Sequence, residues 1–363
     1  TFQMRSATPK SDLCRLLLPS KAPYRLLATL QNLMLDRGGP EIDVLINHTI
    51  EMIGYFCHSD EIVKTAVAAK GPLEVFLSVL ERTGETDRLM KLLKYFKDLS
   101  GGRASTLDLL EDGGAIETIV KVAQSPIVQG SNPQMMNMIL FSLSRLCSIK
   151  MERLEKAVKA GAVPILLREI KHDGQMKNVA FDVVCGMARS GSKIMRKEFE
   201  KHGAVEVIVE TINNGWMGLD ALGALGSLVS HGDKGIVDVV RAESCLEKIG
   251  TAINEAETWM MEKLTESVLK LVENSTAVNR AIGGSAHVLP HLLRRMHRDE
   301  GVVLTAIMRI IRYLYRDHQH PKSFIKNNNL LAVLKGIAEN QTTVMARKIA
   351  DDLLASFSTD YLI

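Results

Sequence analysis

Apolar residues return every three or four positions along most of this chain. Between residues 85 and 100, Leu89, Leu92, Leu93, Phe96 and Leu99 fall on one helical face. Between 302 and 316, Val303, Ile307, Ile310, Ile311 and Leu314 do the same. A period near 3.6 predicts amphipathic helices rather than strands. Shorter apolar words come before them and predict short helices over Val63–Ala69, Leu107–Glu111, Leu154–Ala160, Lys197–Lys201 and Ile236–Arg241.

The pattern repeats. Gly71-Pro-Leu-Glu-Val-Phe-Leu, Gly114-Ala-Ile-Glu-Thr-Ile-Val, Gly161-Ala-Val-Pro-Ile-Leu-Leu and Gly203-Ala-Val-Glu-Val-Ile-Val open successive copies, and weaker copies begin near Ser244, Ser285 and Asn328. Successive gaps are 43, 47, 42, 41, 41 and 43 residues, and Lys21 begins a degenerate first copy. The opening residue closes a short helix and turns the chain into the next, a task that suits glycine because it lacks Cβ. Each copy therefore reads as a short helix, a second helix and a longer third helix. Trp216 and Trp259 open two successive third helices, 43 residues apart. The stretch Ser125–Pro133 is expected to be a loop insertion that accounts for the longest gap.

This period and the Gly-Ala-Val-x-x-Leu/Ile-Val words resemble the armadillo repeat family over residues 20–358. The resemblance implies an all-α, right-handed superhelical α-solenoid of about 7–8 three-helix repeats. Since one such repeat cannot bury its apolar face alone, stacking supplies the core and the end repeats act as caps. The expected organisation is an N-terminal segment or cap over 1–19, one repeat domain over 20–358 with anchors near 21, 71, 114, 161, 203, 244, 285 and 328, and a tail over 359–363. Residues 1–19, with Arg5, Lys10 and Leu16-Leu17-Leu18, could cap the solenoid or lie in its groove.

Composition narrows the function. The net charge is +3, with 46% hydrophobic and 24% charged residues, so the global balance points to neither nucleic acid nor a membrane surface. No apolar stretch has the roughly 18 uncharged residues of a membrane span. Cys14, Cys57, Cys147, Cys185 and Cys245 are odd in number and scattered through apolar helices. They read as reduced core residues of a cytoplasmic or nuclear protein.

No catalytic constellation stands out, and neither an enzyme nor a cofactor is expected. His287 and His291 have the i, i+4 spacing of a metal pair, but Pro290 intervenes and no glutamate follows the first histidine. Gly101-Gly102-Arg103 and Gly283-Gly284-Ser285 lack the lysine of a phosphate loop and read as turns.

The armadillo resemblance implies that third helices line a concave groove where partner segments lie. Importin-type members carry an asparagine near the end of each third helix, with an accompanying tryptophan, to clamp an extended peptide. The matching positions are Tyr55, Asp98, Arg145, Gly186, Ser227, Leu271 and Tyr313. None is asparagine, and Trp216 and Trp259 stand at helix starts, which argues against nuclear-signal binding. The third helices instead carry basic stripes. One comprises Arg309, Arg312 and Arg316 beside Tyr313, within a span (286–326) that holds eight Lys/Arg, five His and three acids. A smaller one comprises Lys91, Lys94 and Lys97 beside Tyr95. Arginine forks suit carboxylate or phosphate partners, whereas charge runs on helices are also commonly solvated. Gly215, Gly218, Gly223 and Gly226 within one third helix predict close helix approach, a kink or a shallow groove floor.

The function expected is a non-catalytic scaffold or adaptor holding an extended or helical protein segment, acidic or phosphorylated near the C-terminal repeats. The groove candidates are Tyr55, Lys91, Lys94, Asp98, Arg145, Ser227, Arg309, Arg312, Tyr313 and Arg316. One alternative is a chaperone-like client binder resembling the myosin-chaperone family. Another is a regulatory armadillo region of a larger signalling or cytoskeletal protein, such as a kinase or a formin.

Overall fold

A computed structural model describes residues 10–35, 39–130, 133–148, 150–172, 174–340 and 343–362. Among them are 25 α-helices and no strand. Twenty-four form eight consecutive triplets, which makes the chain an all-α solenoid. The third helices are Pro40–Cys57, Thr86–Ser100, Pro133–Cys147, Lys177–Ser190, Gly215–Val229, Thr258–Asn274, Gly301–Asp317 and Val344–Leu362. The chain divides into two compact units, residues 1–184 and 185–363, with the boundary inside Lys177–Ser190.

Each turn into a second helix is built in one of three ways. Gly114, Gly161 and Gly203 adopt φ of 81°, 90° and 65°, a left-handed conformation that costs an L-residue about 1 kcal/mol or more. Lys21 (φ 55°) and Asn329 (φ 49°) accept that conformation without being glycine, so the last turn is made one residue beyond the expected Asn328. At Gly71 and Ser244 the expectation of a turn is wrong. Both lie inside helices, Lys70–Arg82 and Glu243–Glu255, entered through extended Ala69 (φ −62°, ψ 149°) and Ala242 (φ −63°, ψ 144°). Ser285 turns the chain by a third route, its Oγ accepting from the His287 and Val288 amides at 3.1 and 3.3 Å.

The short first helices occur where expected but are longer, for example Ala104–Asp112 and Met151–Lys159. The region expected to be a loop insertion carries a short helix, Pro126–Gly130, while residues 131 and 132 fall outside the described residues. At the other end, Lys10–Leu17 is helical and packs on Pro40–Cys57 and Glu61–Ala68. Residues 1–9 lie outside the described residues.

Both units bury an apolar core. Leu89, Leu92, Leu93, Phe96 and Leu99 are all buried, as are Ile307, Ile310, Ile311 and Leu314, although Val303 is only half-buried. All five cysteines are buried, and burial pushes the Cys147 and Cys245 thiols up to about 12.

Polar pairs recur between neighbouring first helices at the repeat period. Arg15 Nε donates to Asp60 at 2.8 Å. Glu61 accepts from the Arg103 amide and from the Thr106 hydroxyl, the latter at 2.6 Å. Arg196 reaches Asp233. In the most buried case Arg153, with no solvent exposure, donates through Nε to Glu111 at 2.7 Å, through Nη2 to Asp108 and through Nη1 to the Leu146 carbonyl at 3.3 Å. Each pair fixes how one repeat registers on the next.

Candidate functional site

In the second unit the third helices align at offsets of 43, 43 and 42 residues. The same burial pattern recurs along Gly215–Val229, Thr258–Asn274 and Gly301–Asp317 at the first two offsets. Tyr315 and Phe357, 42 residues apart, are in tilted ring contact with centroids 4.4 Å apart. This register makes Ser227, Lys270 and Tyr313 equivalent. It corrects one position of the sequence alignment: Leu271 is fully buried, and the exposed residue at that level is Lys270.

The arginine stripe of Gly301–Asp317 lines a cleft of about 610 Å³. Arg309, Arg312, Tyr313, Tyr315 and Arg316 form one wall, and Pro321, Leu353 and Ser356 complete the lining. The three guanidiniums are held differently. Arg309 Nη2 donates to Glu273 of the preceding third helix at 3.1 Å. Arg316 forks onto Asp317 at 3.0 and 3.1 Å and lies 4.9 Å from the Tyr313 ring centroid. The Arg316 fork, joined by the Asn279 amide at 2.7 Å, holds Asp317 below the usual carboxylate range although burial pushes the other way. Arg312 is exposed and has no carboxylate partner among the described residues. The cleft therefore holds one uncompensated guanidinium, flanked by two that are neutralised and fixed in place. A bidentate oxyanion, carboxylate or phosphate, is the natural complement of such a fork.

The remaining sequence candidates divide between the units. In the first, Lys91 pairs with Glu51 at 3.6 Å, Lys94 is exposed and Lys97 lies 5.4 Å from the Phe141 ring centroid. Their neighbour Tyr95 turns inward. Its ring occupies the space a Cβ on Gly54 would need, and burial raises its hydroxyl pKa. Asp98 contacts His58 Nδ1 at 3.2 Å. Tyr55 carries the Lys10 ammonium 4.4 Å from its ring centroid. Arg145 is exposed. In the second unit, Ser227 hydrogen-bonds its own helix through the Gly223 carbonyl at 3.2 Å.

Two of the four glycines of Gly215–Val229, Gly218 and Gly226, serve packing. A Cβ on Gly218 would collide with the Ile212 carbonyl, and one on Gly226 would meet Lys270 Cβ at 3.0 Å. His287 Nε2 contacts Glu243 at 3.1 Å. His291 is held below its ordinary pKa by burial and by the Arg294 and His287 charges.

Two features escaped the sequence reading. Arg153 could have been found as the one polar residue on the apolar face of its helix. Trp216 and Trp259 look like register markers in sequence, yet both are exposed, at 63% and 51%. Their rings pack against each other, tilted by 41° with centroids 4.6 Å apart.

No protein-family model matches the chain. It is 22% identical to the cytokinesis protein sepH of Aspergillus niger over 98% of its own length. It is 21% identical to MAP3K epsilon protein kinase 2 of Arabidopsis thaliana over 85% of its length. The chain spans only about a quarter of these relatives, 26% and 23%. Among solved structures, an engineered protein superposes with a TM-score of 0.68 at 15% identity, over 96% of this chain and 81% of that one. Armadillo repeat proteins designed for modular peptide recognition superpose with a TM-score of 0.56 at 13% identity, over 66% of this chain and 99% of theirs. The solenoid is thus armadillo-like.

Proposed function

We propose that this chain is a non-catalytic, protein-binding repeat region of a larger signalling protein, and that it holds an acidic or phosphorylated segment of its partner at the Arg309–Arg312–Arg316 cleft. The observation that carries the reading is the exposed, uncompensated Arg312 between two fixed arginines in a cleft of about 610 Å³. The armadillo-like fold supports a binding role by analogy of form alone. The larger-protein context is supported by the two relatives, in which the matched stretch is about a quarter of a cytokinesis protein or of a protein kinase. The scaffold receives nothing of the kinase's chemistry in this reading. A site of action in the cytoplasm or nucleus and the absence of nucleic-acid binding belong to the same proposal.

The test uses fluorescein-labelled 12-residue peptides rich in glutamate, with and without a central phosphoserine, titrated by anisotropy. Saturable binding should weaken at least tenfold in an Arg309/Arg312/Arg316→Glu variant whose helical circular dichroism is unchanged. Equal binding to both proteins would remove the cleft from the proposal.

A further inference from the structure

Trp216 and Trp259 are the chain's two tryptophans, and both are spent on the surface. They occupy the second position of successive third helices. At the register established above, the next two third helices carry Val302 and Val344 at the same level, followed by Met345. All are exposed: Val302 by 64%, Val344 by 72% and Met345 by 58%. The second unit therefore presents an apolar row along the N-terminal edge of its third helices. Adjacent packed helices lie about 8–10 Å apart, so four levels extend over roughly 25–30 Å, the length of a helix of about 20 residues at 1.5 Å per residue. Large contiguous exposed apolar surface marks interaction sites, and tryptophan is among the residues enriched in dominant interface contacts.

Beside the tryptophans is a socket. Ile212, Gly218, Leu219, Ala252, Met260 and Leu264 line a cleft of about 200 Å³ between the two repeats, the size of one large apolar side chain, with Glu255 at its lip. Four carboxylates surround the row and its socket. Glu255, Glu257, Glu262 and Glu300 are exposed. Glu257 accepts from Trp259 Nε1 at 2.5 Å, and the other three carboxylates have no ion-pair partner among the described residues. Against them stand Lys263, 5.6 Å from the Trp216 ring centroid, the exposed Arg298, the exposed Arg294, which donates to the Asn254 side chain at 3.0 Å, and Arg295, which donates to the Ile253 and Ala256 carbonyls and pairs with Asp299 at 3.7 Å.

We propose that this edge docks a basic amphipathic helix of a partner protein, its apolar side chains on the Trp216–Trp259 pair and in the adjoining socket, its lysines or arginines facing Glu255, Glu257, Glu262 and Glu300. The row supplies the apolar stripe such a helix needs, and the unpaired carboxylates select its charge. This site lies at the opposite ends of the third helices from the arginine cleft and takes the opposite charge.

The chain reports on this site itself, because its tryptophan emission comes from these two residues alone. A 20-residue helical peptide of leucine and lysine, free of tryptophan, should shift that emission to the blue saturably. A leucine–glutamate peptide of the same pattern should bind at least tenfold more weakly. With fluorescein-labelled peptide, Trp216→Ser/Trp259→Ser should weaken the leucine–lysine complex at least tenfold, and both positions are exposed enough to leave circular dichroism unchanged. Glu255→Lys/Glu257→Lys/Glu262→Lys keeps the tryptophans and should turn the preference toward the leucine–glutamate peptide. Arg312→Glu should leave binding here unchanged, so failure of the arginine cleft and failure of this site are separable. Equal affinity for both peptides, an unaffected tryptophan variant, or a blue shift produced by anionic phosphatidylserine vesicles and not by peptide would each overturn the proposal.

Discussion

The largest single-residue stake is Arg153. A guanidinium with no exposure is tolerated because Glu111, Asp108 and the Leu146 carbonyl take its protons. Removing one partner of a buried pair strands the other, at a typical cost of 3–5 kcal/mol. Arg153→Ala should lower the urea-unfolding free energy by about that much, since it leaves Glu111, only 9% exposed, with Lys156 at 2.9 Å and Lys150 at 3.9 Å as its remaining cations. Arg153→Met, which fills the space, should lose less. The pH dependence has a definite sign. Burial pushes Glu111 up, but the hydrogen bonds from Arg153 and Lys156 prevail and hold it below its ordinary 4.5. A depressed carboxylate stabilises fully above the unfolded value and loses that contribution as pH falls through the folded one. Wild type should therefore lose stability below about pH 4.5 more steeply than Arg153→Met. Parallel acid limbs in urea titrations would show that the pair is not the source.

At the scale of elements, most of the fold was legible because helix period and repeat spacing are carried by many residues at once. The third helices expected over 85–100 and 302–316 occur as Thr86–Ser100 and Gly301–Asp317, and Trp216 and Trp259 each stand at the second position of another. What stayed illegible was how each turn is made. The words at Gly71 and Gly161 look alike, yet Gly161 has φ of 90° while Gly71 is inside a helix. The difference lies in the entering residue: Ala69 is extended and does the turning, a tertiary choice that no local word encodes. The two glycines should respond oppositely to alanine. Gly161→Ala forces a left-handed L-residue and should cost about 1–2 kcal/mol. At Gly71 an added Cβ meets only Tyr24, at 3.7 and 3.8 Å, and alanine in a helix is favoured over glycine by up to about 1 kcal/mol. Thermal melts of the two variants decide this; destabilisation of similar size in both would mean that Gly71 is also needed for the turn. The candidate site was legible only in part, for a related reason. Periodicity put Arg309, Arg312 and Arg316 on one face, but which guanidinium remains uncompensated depends on Glu273, 36 residues before Arg309, and on the fork to Asp317. The aromatic edge was missed because two tryptophans, two valines and a methionine become a row only once the register of the third helices is known in space.

At the scale of the whole molecule, the charge balance decides how any binding should respond to salt. A net charge of +3 in 363 residues produces little long-range field, and at physiological ionic strength the screening length is about 8 Å. Attraction of an acidic segment must then come from contacts within the arginine cleft rather than from steering by the molecule as a whole. Wild-type affinity for a glutamate-rich peptide should fall roughly tenfold between 50 and 500 mM salt. Arg312→Gln should lose most of that dependence, since Arg309 and Arg316 already have carboxylate partners and change little in net charge when a ligand arrives. A duplex DNA oligonucleotide, whose binding requires many simultaneous phosphate contacts, should not bind at physiological salt. If instead Arg312→Gln keeps the wild-type salt slope, or DNA competes with the peptide, the attraction is a property of the whole basic span 286–326 and not of one exposed guanidinium held between two fixed ones.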